Sequence, residues 1–355
     1  MIKRRKVLAT LLTGFMVATL ATGCGLSSAK PAPTTAPAPA AAPANADAKV
    51  IKVSIGLNEA SPLYQGMRKF GDLVQERTKN KYEIQLYANA QLGDDIKATE
   101  SVRMGTLEMT PPSTSPLTGI ESKLMVFDLP FLFPSPEVAD KVLDGPIGQK
   151  LLDGLSAKGL KGLAYMENGF RDVTNSVREI KAPADLKGLK IRTMENPMHL
   201  AAWKAMGSNP TPMPFSEVFT AMQQKTIDGQ ENPIPTIYLQ KFNEVQKYVT
   251  VSNHIYSPFI VLFSQKIWDS MPKEDQEIFQ QAALEAKDFQ RKISRDMVKD
   301  QVGKLRDAGM TVTELTPDQL KAFQDATKPV YDQFAEKIGK DLVKEVTDEV
   351  VKLSK

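Results

Sequence analysis

Two α/β domains built on mostly parallel sheet are what this chain of 355 residues predicts, and three observations carry the prediction. Strand-like and helix-like stretches alternate from Val50 onward, the pattern of βα units feeding a parallel sheet. The length suffices for two domains with cores of their own. From Pro272 to about Ala308 one helical pattern runs with no proline after its first residue and a single glycine, Gly303. At 1.5 Å per residue such a helix approaches ~50 Å, longer than one small domain, so it should lie across two.

In order, Val50 to Leu57 alternates as a strand does and leads to Asn58 at its end. Pro62 opens a helix to about Thr78, with Leu63, Met67, Phe70 and Val74 at helical spacing. Tyr82 to Tyr87 alternates again, Asp94 to Met104 reads as helix, and Leu107 to Thr110 is short and apolar before Pro111 and Pro112 break it. A hydroxyl-rich loop, Ser113-Thr114-Ser115, and a buried-looking aromatic loop, Phe127 to Pro134, precede two helices within Pro136 to Lys158. Strands follow at Leu160 to Met166, within Asn168 to Asn175, and at Leu189 to Thr193. A helix around Ala201 to Ala205 and the Pro-rich Asn209 to Phe215 come next. Helix then covers Ile237 to Phe242, and Tyr248 to Val251 and Ser257 to Phe263 are strand-like. Beyond the long helix lie a strand near Met310 to Val312 and helices from Thr316 to Leu353. No internal repeat is present.

The net charge of +3 is carried by the leader: removing Lys3, Arg4, Arg5 and Lys6 leaves 41 basic residues against 42 acidic. No basic patch suggests nucleic acid. Those four residues precede an apolar run, Val7 to Leu20, too short to be a retained membrane span. Leu20-Ala21-Thr22-Gly23-Cys24 reads as a lipoprotein cleavage box, with Ala21 where leucine is usual. Residues 1–23 are therefore expected to be a signal peptide, and Cys24, the only cysteine, the lipidated residue. Residues 24–49 form an Ala/Pro-rich tether that cannot bury a core.

Arg171 and Arg192 both sit on short apolar strands between Asn168 and Pro235. A guanidinium cannot shed its charge, so one drawn inward needs an anion. Around them stand Gly169-Phe170-Arg171, Asp185-Leu186-Lys187-Gly188-Leu189-Lys190-Ile191-Arg192, Pro212-Met213-Pro214-Phe215-Ser216-Glu217-Val218 and Asp228-Gly229-Gln230-Glu231-Asn232-Pro233. In these blocks the chain resembles the solute-binding subunit of tripartite ATP-independent periplasmic (TRAP) transporters, of the dicarboxylate-binding type. Gln91-Leu92-Gly93-Asp94-Asp95 and Phe242 to Tyr248 echo it more weakly, and the resemblance covers essentially all of the chain after about Val50.

The resemblance implies a two-domain architecture of the periplasmic binding protein type (type II), with discontinuous domains and a long helix along both. The first lobe would comprise residues 50–168 plus about 258–297, and the second 169–257 plus about 298–355. It further implies an extracytoplasmic receptor that closes about a hinge on a small organic acid. Two integral membrane subunits, driven by an ion gradient and not by ATP, would receive that acid. Arg192 falls where the family places its main carboxylate anchor, a role suited to a planar fork of N–H donors. Arg171 matches a second arginine; otherwise it reads as a surface partner of Asp172. Asn232 matches an amide on the same carboxylate, or else is a turn residue before Pro233. Phe215 is a pocket wall or core. Asn58, Ser113 and Asp95 match first-lobe ligand positions, or cap loops. His254, His199 and Trp203 lie near the site and read more simply as packed core.

Catalytic signatures are absent: the two histidines stand in no H-E-x-x-H, and there is no C-x-x-C, G-x-S-x-G or P-loop text. No enzyme activity, metal or cofactor is expected. A sensory protein presenting an organic acid to a membrane receptor is the alternative to transport, and a surface enzyme ranks last. The clamp admits a monocarboxylate, a dicarboxylate or a sugar acid. Ser113, where sialic-acid-type members carry an acid, argues against sialic acid.

Overall fold

The computed structural model describes residues 47–355. The expected signal peptide, Cys24 and most of the Ala/Pro-rich tether lie outside the described residues. Strands β1 (Lys49–Ser54), β2 (Tyr82–Tyr87), β3 (Met109–Thr110), β4 (Leu160–Phe170) and β5 (Asp172–Asn175) come first. They are followed by β6 (Lys190–Thr193), β7 (Asn209–Pro212), β8 (Gly229–Asn232), β9 (Tyr248–Val251), β10 (Tyr256–Ser264) and β11 (Thr311–Glu314). The helices are α1 (Pro62–Arg77), α2 (Asp95–Met104), α3 (Pro136–Leu143), α4 (Pro146–Gly154), α5 (Pro197–Ala205) and α6 (Val218–Gln223). After them come α7 (Ile234–Leu239), α8 (Gln265–Asp269), α9 (Lys273–Asp307), α10 (Pro317–Ile338) and α11 (Lys340–Leu353). Proline stands in the first turn of α1, α3, α4, α5, α7 and α10, where its missing N–H breaks no helical bond.

Two sheets result. One runs β2-β1-β3-β10-β4 and the other β11-β9-β5-β8-β6-β7. Each is parallel except for one strand: β10 is antiparallel to β3 and β4, and β5 is antiparallel to β8 and β9. Those exceptions mark where the chain changes lobe. β4 of the first sheet passes through Arg171 into β5 of the second, and β9 returns through residues 252–255 into β10. The two crossings lie side by side, with Arg171 N–H donating to Ile255 O (2.9 Å) and His254 N–H to Arg171 O (3.2 Å). A paired double crossing of single strands is a hinge.

Helix α9 spans both lobes, as its length requires. Toward its start Phe279, Ala282, Ala283 and Ala286 enter the first-lobe core, while Leu305 closes the second. Between these ends Arg291 forks onto Asp144 (2.6 and 3.0 Å) and Arg295 onto Asp140 (2.8 and 2.9 Å), tying the helix to the end of α3 and its body. Gln290 is wholly buried and stitches α9 to β4: it accepts from Glu167 N–H (2.8 Å) and donates to Glu167 O (2.7 Å). Gly66 of α1 makes room for it, since a Cβ there would meet Gln290 at 2.7 Å.

Three details depart from the sequence reading. Asn209–Pro212, proline-rich and given no element from the sequence, is the edge strand β7 beside β6, a position that tolerates missing donors. The polar Gly229–Asn232 is a fully buried strand, β8. Helix α11, grouped with the second lobe, packs on the first: Leu342, Val346 and Val350 share a core with Val138, Val142 and Leu143 of α3. Its apolar stripe shows that it is half-buried but not against which lobe.

Among the described residues no helix is long and apolar enough to cross a membrane, and no group of His, Cys, Asp and Glu could hold a metal ion. Replacing Gln290 by Leu should leave both Glu167 backbone groups unpaired in the core and destabilise the protein by roughly 2–4 kcal/mol. Denaturant unfolding of the ligand-free protein measures this, and a loss under about 0.5 kcal/mol would show the stitch to be idle.

Candidate functional site

In open parallel sheets a ligand sits beyond the carboxyl ends of the strands. The cleft between the two lobes follows that rule from both sides. Gly56 and Leu57 follow β1, Asp94 and Asp95 follow β2, Pro111 and Ser113 follow β3, and Asn168 is near the end of β4. From the other lobe come Arg192, Met194 and Glu195 at the end of β6, Pro214 and Phe215 after β7, and Asn232 at the end of β8. Phe215 packs against the cores of both lobes and also lies under the Arg192 guanidinium, 6.0 Å from ring centroid to Cζ.

Arg192 is 1% exposed. Its Nε and Nη2 donate to the Met213 carbonyl (2.9 and 2.5 Å), which fixes the plane of the guanidinium. Its Nη1 is buried without a protein partner. Burial pushes the group down to about 10, still fully charged at neutral pH, with Glu231, Glu195 and Asp95 partly offsetting that cost. A charged donor held rigid and left unsaturated at a cleft wall is built for an anion.

Facing it are carboxylates. Asp94 caps α2 through Lys97 N–H (3.0 Å) and pairs with the Lys97 ammonium (3.0 Å), so its oxygens are committed. Asp95 accepts from Ser113 N–H (3.1 Å), while its other oxygen lies over Gly56, where a Cβ would stand 3.3 Å away. Burial pushes Asp95 up to about 6 and also raises Glu195. Ser113 Oγ shares a hydrogen bond with Ser257 Oγ (3.1 Å) and accepts from Asn168 Nδ2 (3.2 Å). Asn232 Nδ2 donates to Gln230 Oε1 (2.5 Å), so the amide is oriented from behind by its own strand.

Of the seven residues singled out in the sequence, Arg192, Asn232, Phe215, Ser113 and Asp95 line this cleft together. Arg171 and Asn58 stand apart from the wall. Arg171 sits at the hinge crossing, wholly buried, and its partner is Glu231 rather than Asp172. Nε and Nη2 both reach the Glu231 carboxylate, and Nη2 also donates to Glu231 O (2.6 Å). Asp172 instead accepts from Ser252 and Asn253 N–H (2.9 and 3.0 Å). Asn58 Nδ2 donates to Leu239 O (2.9 Å).

Glu231 is the residue the sequence reading passed over. Burial alone would raise it, but Arg171 and His254 hold it well below the usual carboxylate range. Burial lowers His254; the Glu231 carboxylate can only accept, so Nε2–H donates to it (3.2 Å), while Nδ1 lies 2.9 Å from Ser252 Oγ. His199 meets Asp128 (3.0 Å), which also takes Asn196 Nδ2 (2.8 Å) and Ser115 Oγ. Trp203 is second-lobe core. Glu195 is not anticipated as a wall residue, since an acid in a loop carries no pattern of its own, and Asp94 is legible only as a helix start.

Two hinged α/β lobes, closing on a cleft with one fixed and unsaturated cation, define a binding protein for a small anion. Residues 53–338 match the model of bacterial extracellular solute-binding protein family 7 (DctP). The chain belongs to that family. It is 40% identical to the sugar acid binding protein of Advenella mimigardefordensis in complex with galactonate, covering 87% of this chain and 99% of that one at a TM-score of 0.84. A TRAP periplasmic solute binding protein from Polaromonas sp. JS666, bound to D-erythronate, is 40% identical over 84% of this chain and 98% of its own, with a TM-score of 0.82. The C4-dicarboxylate-binding periplasmic protein of Rhodobacter capsulatus is 35% identical over 83% of this chain and 89% of its own length.

The raised Asp95 pKa fixes a sign. Charging this group costs nothing below its unfolded value of 3.8, and the full cost is present above about 6. Asp95→Asn keeps an acceptor for Ser113 N–H and removes that cost. The ligand-free variant should melt a few degrees above the parent at about pH 7.5, by roughly 1–3 kcal/mol, and level with it at about pH 3.5. An equal difference at both pH values would mean that Asp95 is not what titrates.

Proposed function

We propose that this chain captures a sugar acid, a polyhydroxylated monocarboxylate, and delivers it to the membrane subunits of a TRAP transporter. One observation carries the substrate class: the cleft wall offers a single cation, Arg192, and is otherwise charged by Asp94 and Asp95 of the first lobe and Glu195 of the second. A carboxylate docks on Arg192 Nη1, with Asn232 beside it. Hydroxyl groups along the rest of the solute then donate to Asp95 and Glu195, which accept and cannot repel them. A second carboxylate in that position would meet like charge, which costs several kcal/mol. The galactonate and erythronate complexes of the two solved relatives accord with this choice, and the dicarboxylate relative supplies the competing one.

Arg192, Asn232 and Phe215 belong to one lobe and Asp95 and Ser113 to the other, so a solute that bridges them draws the lobes together. Binding without turnover fits the chemistry at hand: both histidines are engaged by the protein's own acids, and Ser113 Oγ has hydroxyl and amide neighbours but no base. We further propose that Cys24 carries lipid and holds the receptor at the outer face of a membrane.

Titration calorimetry with galactonate and succinate tests the substrate class. Galactonate should bind at least tenfold tighter; tighter binding of succinate would overturn the reading. Arg192→Met should lose 30-fold or more in affinity, about 2 kcal/mol, while the ligand-free protein melts no lower than the parent because a desolvated charge has gone. Cys24→Ser should move the protein from the membrane fraction to the soluble one, and unchanged sedimentation would remove lipid from the account.

A further inference from the structure

We infer that Asn58 is a latch between the lobes, a positioning residue that sets how long the cleft stays shut and does so equally for every solute. Asn58 follows β1 in the first lobe, two residues past Gly56 on the cleft wall. Leu239 ends α7, whose Ile234 and Ile237 lie in the second-lobe core. The amide nitrogen of Asn58 donates to the Leu239 carbonyl at 2.9 Å, across 181 residues of sequence. Neither residue belongs to a segment that joins the lobes, so rotation about the crossings at Arg171 and residues 252–255 separates this pair.

Both ends are prepared for the contact. The Asn58 side-chain oxygen accepts from Ala60 N–H (3.1 Å), and its carbonyl accepts from Ser61 Oγ (2.7 Å) and Ser61 N–H (3.1 Å). The amide is thus oriented before closure, with its N–H groups outward. On the other side, the last carbonyls of a helix have no intrahelical donor, and Leu239 O is one of them. Closure therefore satisfies an acceptor that otherwise needs water. The bond touches no wall position that a solute must occupy.

A latch and a ligand contact make different demands on affinity. When the binding-competent form is a fraction of the population, the apparent dissociation constant scales inversely with that fraction whatever the solute. A direct contact scales with what the solute presents there. Asn58→Ala removes the whole device. Asn58→Asp keeps the acceptor for Ala60 N–H but has no N–H to give Leu239.

The experiment uses the processed chain with Cys24→Ser, which leaves no cysteine, and nitroxide labels at Lys69→Cys on α1 and Gln223→Cys on α6, both exposed. Stopped-flow kinetics with galactonate and with the four-carbon erythronate should show each Asn58 variant releasing both acids about three- to tenfold faster, by the same factor, with association within about twofold of the parent. Without any acid, the short-distance population between the labels should fall in both variants. Unequal factors for the two acids would make Asn58 a pocket contact. Unchanged release, or a ligand-free parent with no short-distance population, would also overturn the latch. Failure of the parent to bind either acid counts against the sugar-acid reading alone, because the label distances still decide this one.

Discussion

A permanent positive charge in a place without water is the constraint from which the rest of the site follows. Arg192 cannot discharge itself as a lysine or histidine would, and at 1% exposure it has lost nearly all hydration. The protein answers with partial compensation: one carbonyl, Met213 O, takes two of its nitrogens, and acids at a distance lower the cost of burial. Full compensation by a carboxylate in contact would have closed the site. Leaving Nη1 without a partner stores an unmet demand that only something from outside can satisfy.

The neighbouring arginine shows the opposite solution. Arg171 is equally buried and also keeps Nη1 without a partner, yet its charge meets the Glu231 carboxylate in direct contact, and His254 and Ser252 extend the chain of bonds along the two crossing strands. Such an ion pair is rarely a net source of stability compared with apolar packing, but losing one member strands the other. At a hinge this gives a pivot with a single well-defined arrangement. Two arginines from one sequence block therefore divide the labour, one paired within the protein at the crossing and the other, on our proposal, holding the solute.

Much of this was legible in the sequence, for physical reasons that differ by residue. The long helix was read to within a residue or two at each end because nothing in Lys273–Asp307 breaks it. Arg192 stood out because charge on a short apolar strand is costly. What could not be read depends on contacts distant in sequence. Glu231 is paired across 60 residues, and its strand β8 is polar text that only specific partners make fit for burial. Asn58 reads as a ligand position by resemblance or as a loop cap, and neither reading anticipates Leu239 O, its partner 181 residues away. The proline-rich text at β7 signals no strand, and only the knowledge that the strand is an outer one, bonded on a single side, permits it.

The packing of α11 on α3 bears on how the molecule is made. Val330, Phe334, Ile338, Leu342, Val346 and Val350 complete a core whose other members begin near Ala98. The first lobe thus cannot reach its final packing until the ribosome has delivered residues some 200 positions later, and contacts of such long range are slow to form. A polypeptide that stays loose during synthesis is one that a translocation channel can still thread. The same arrangement that delays assembly inside the cell would let folding finish on the far side.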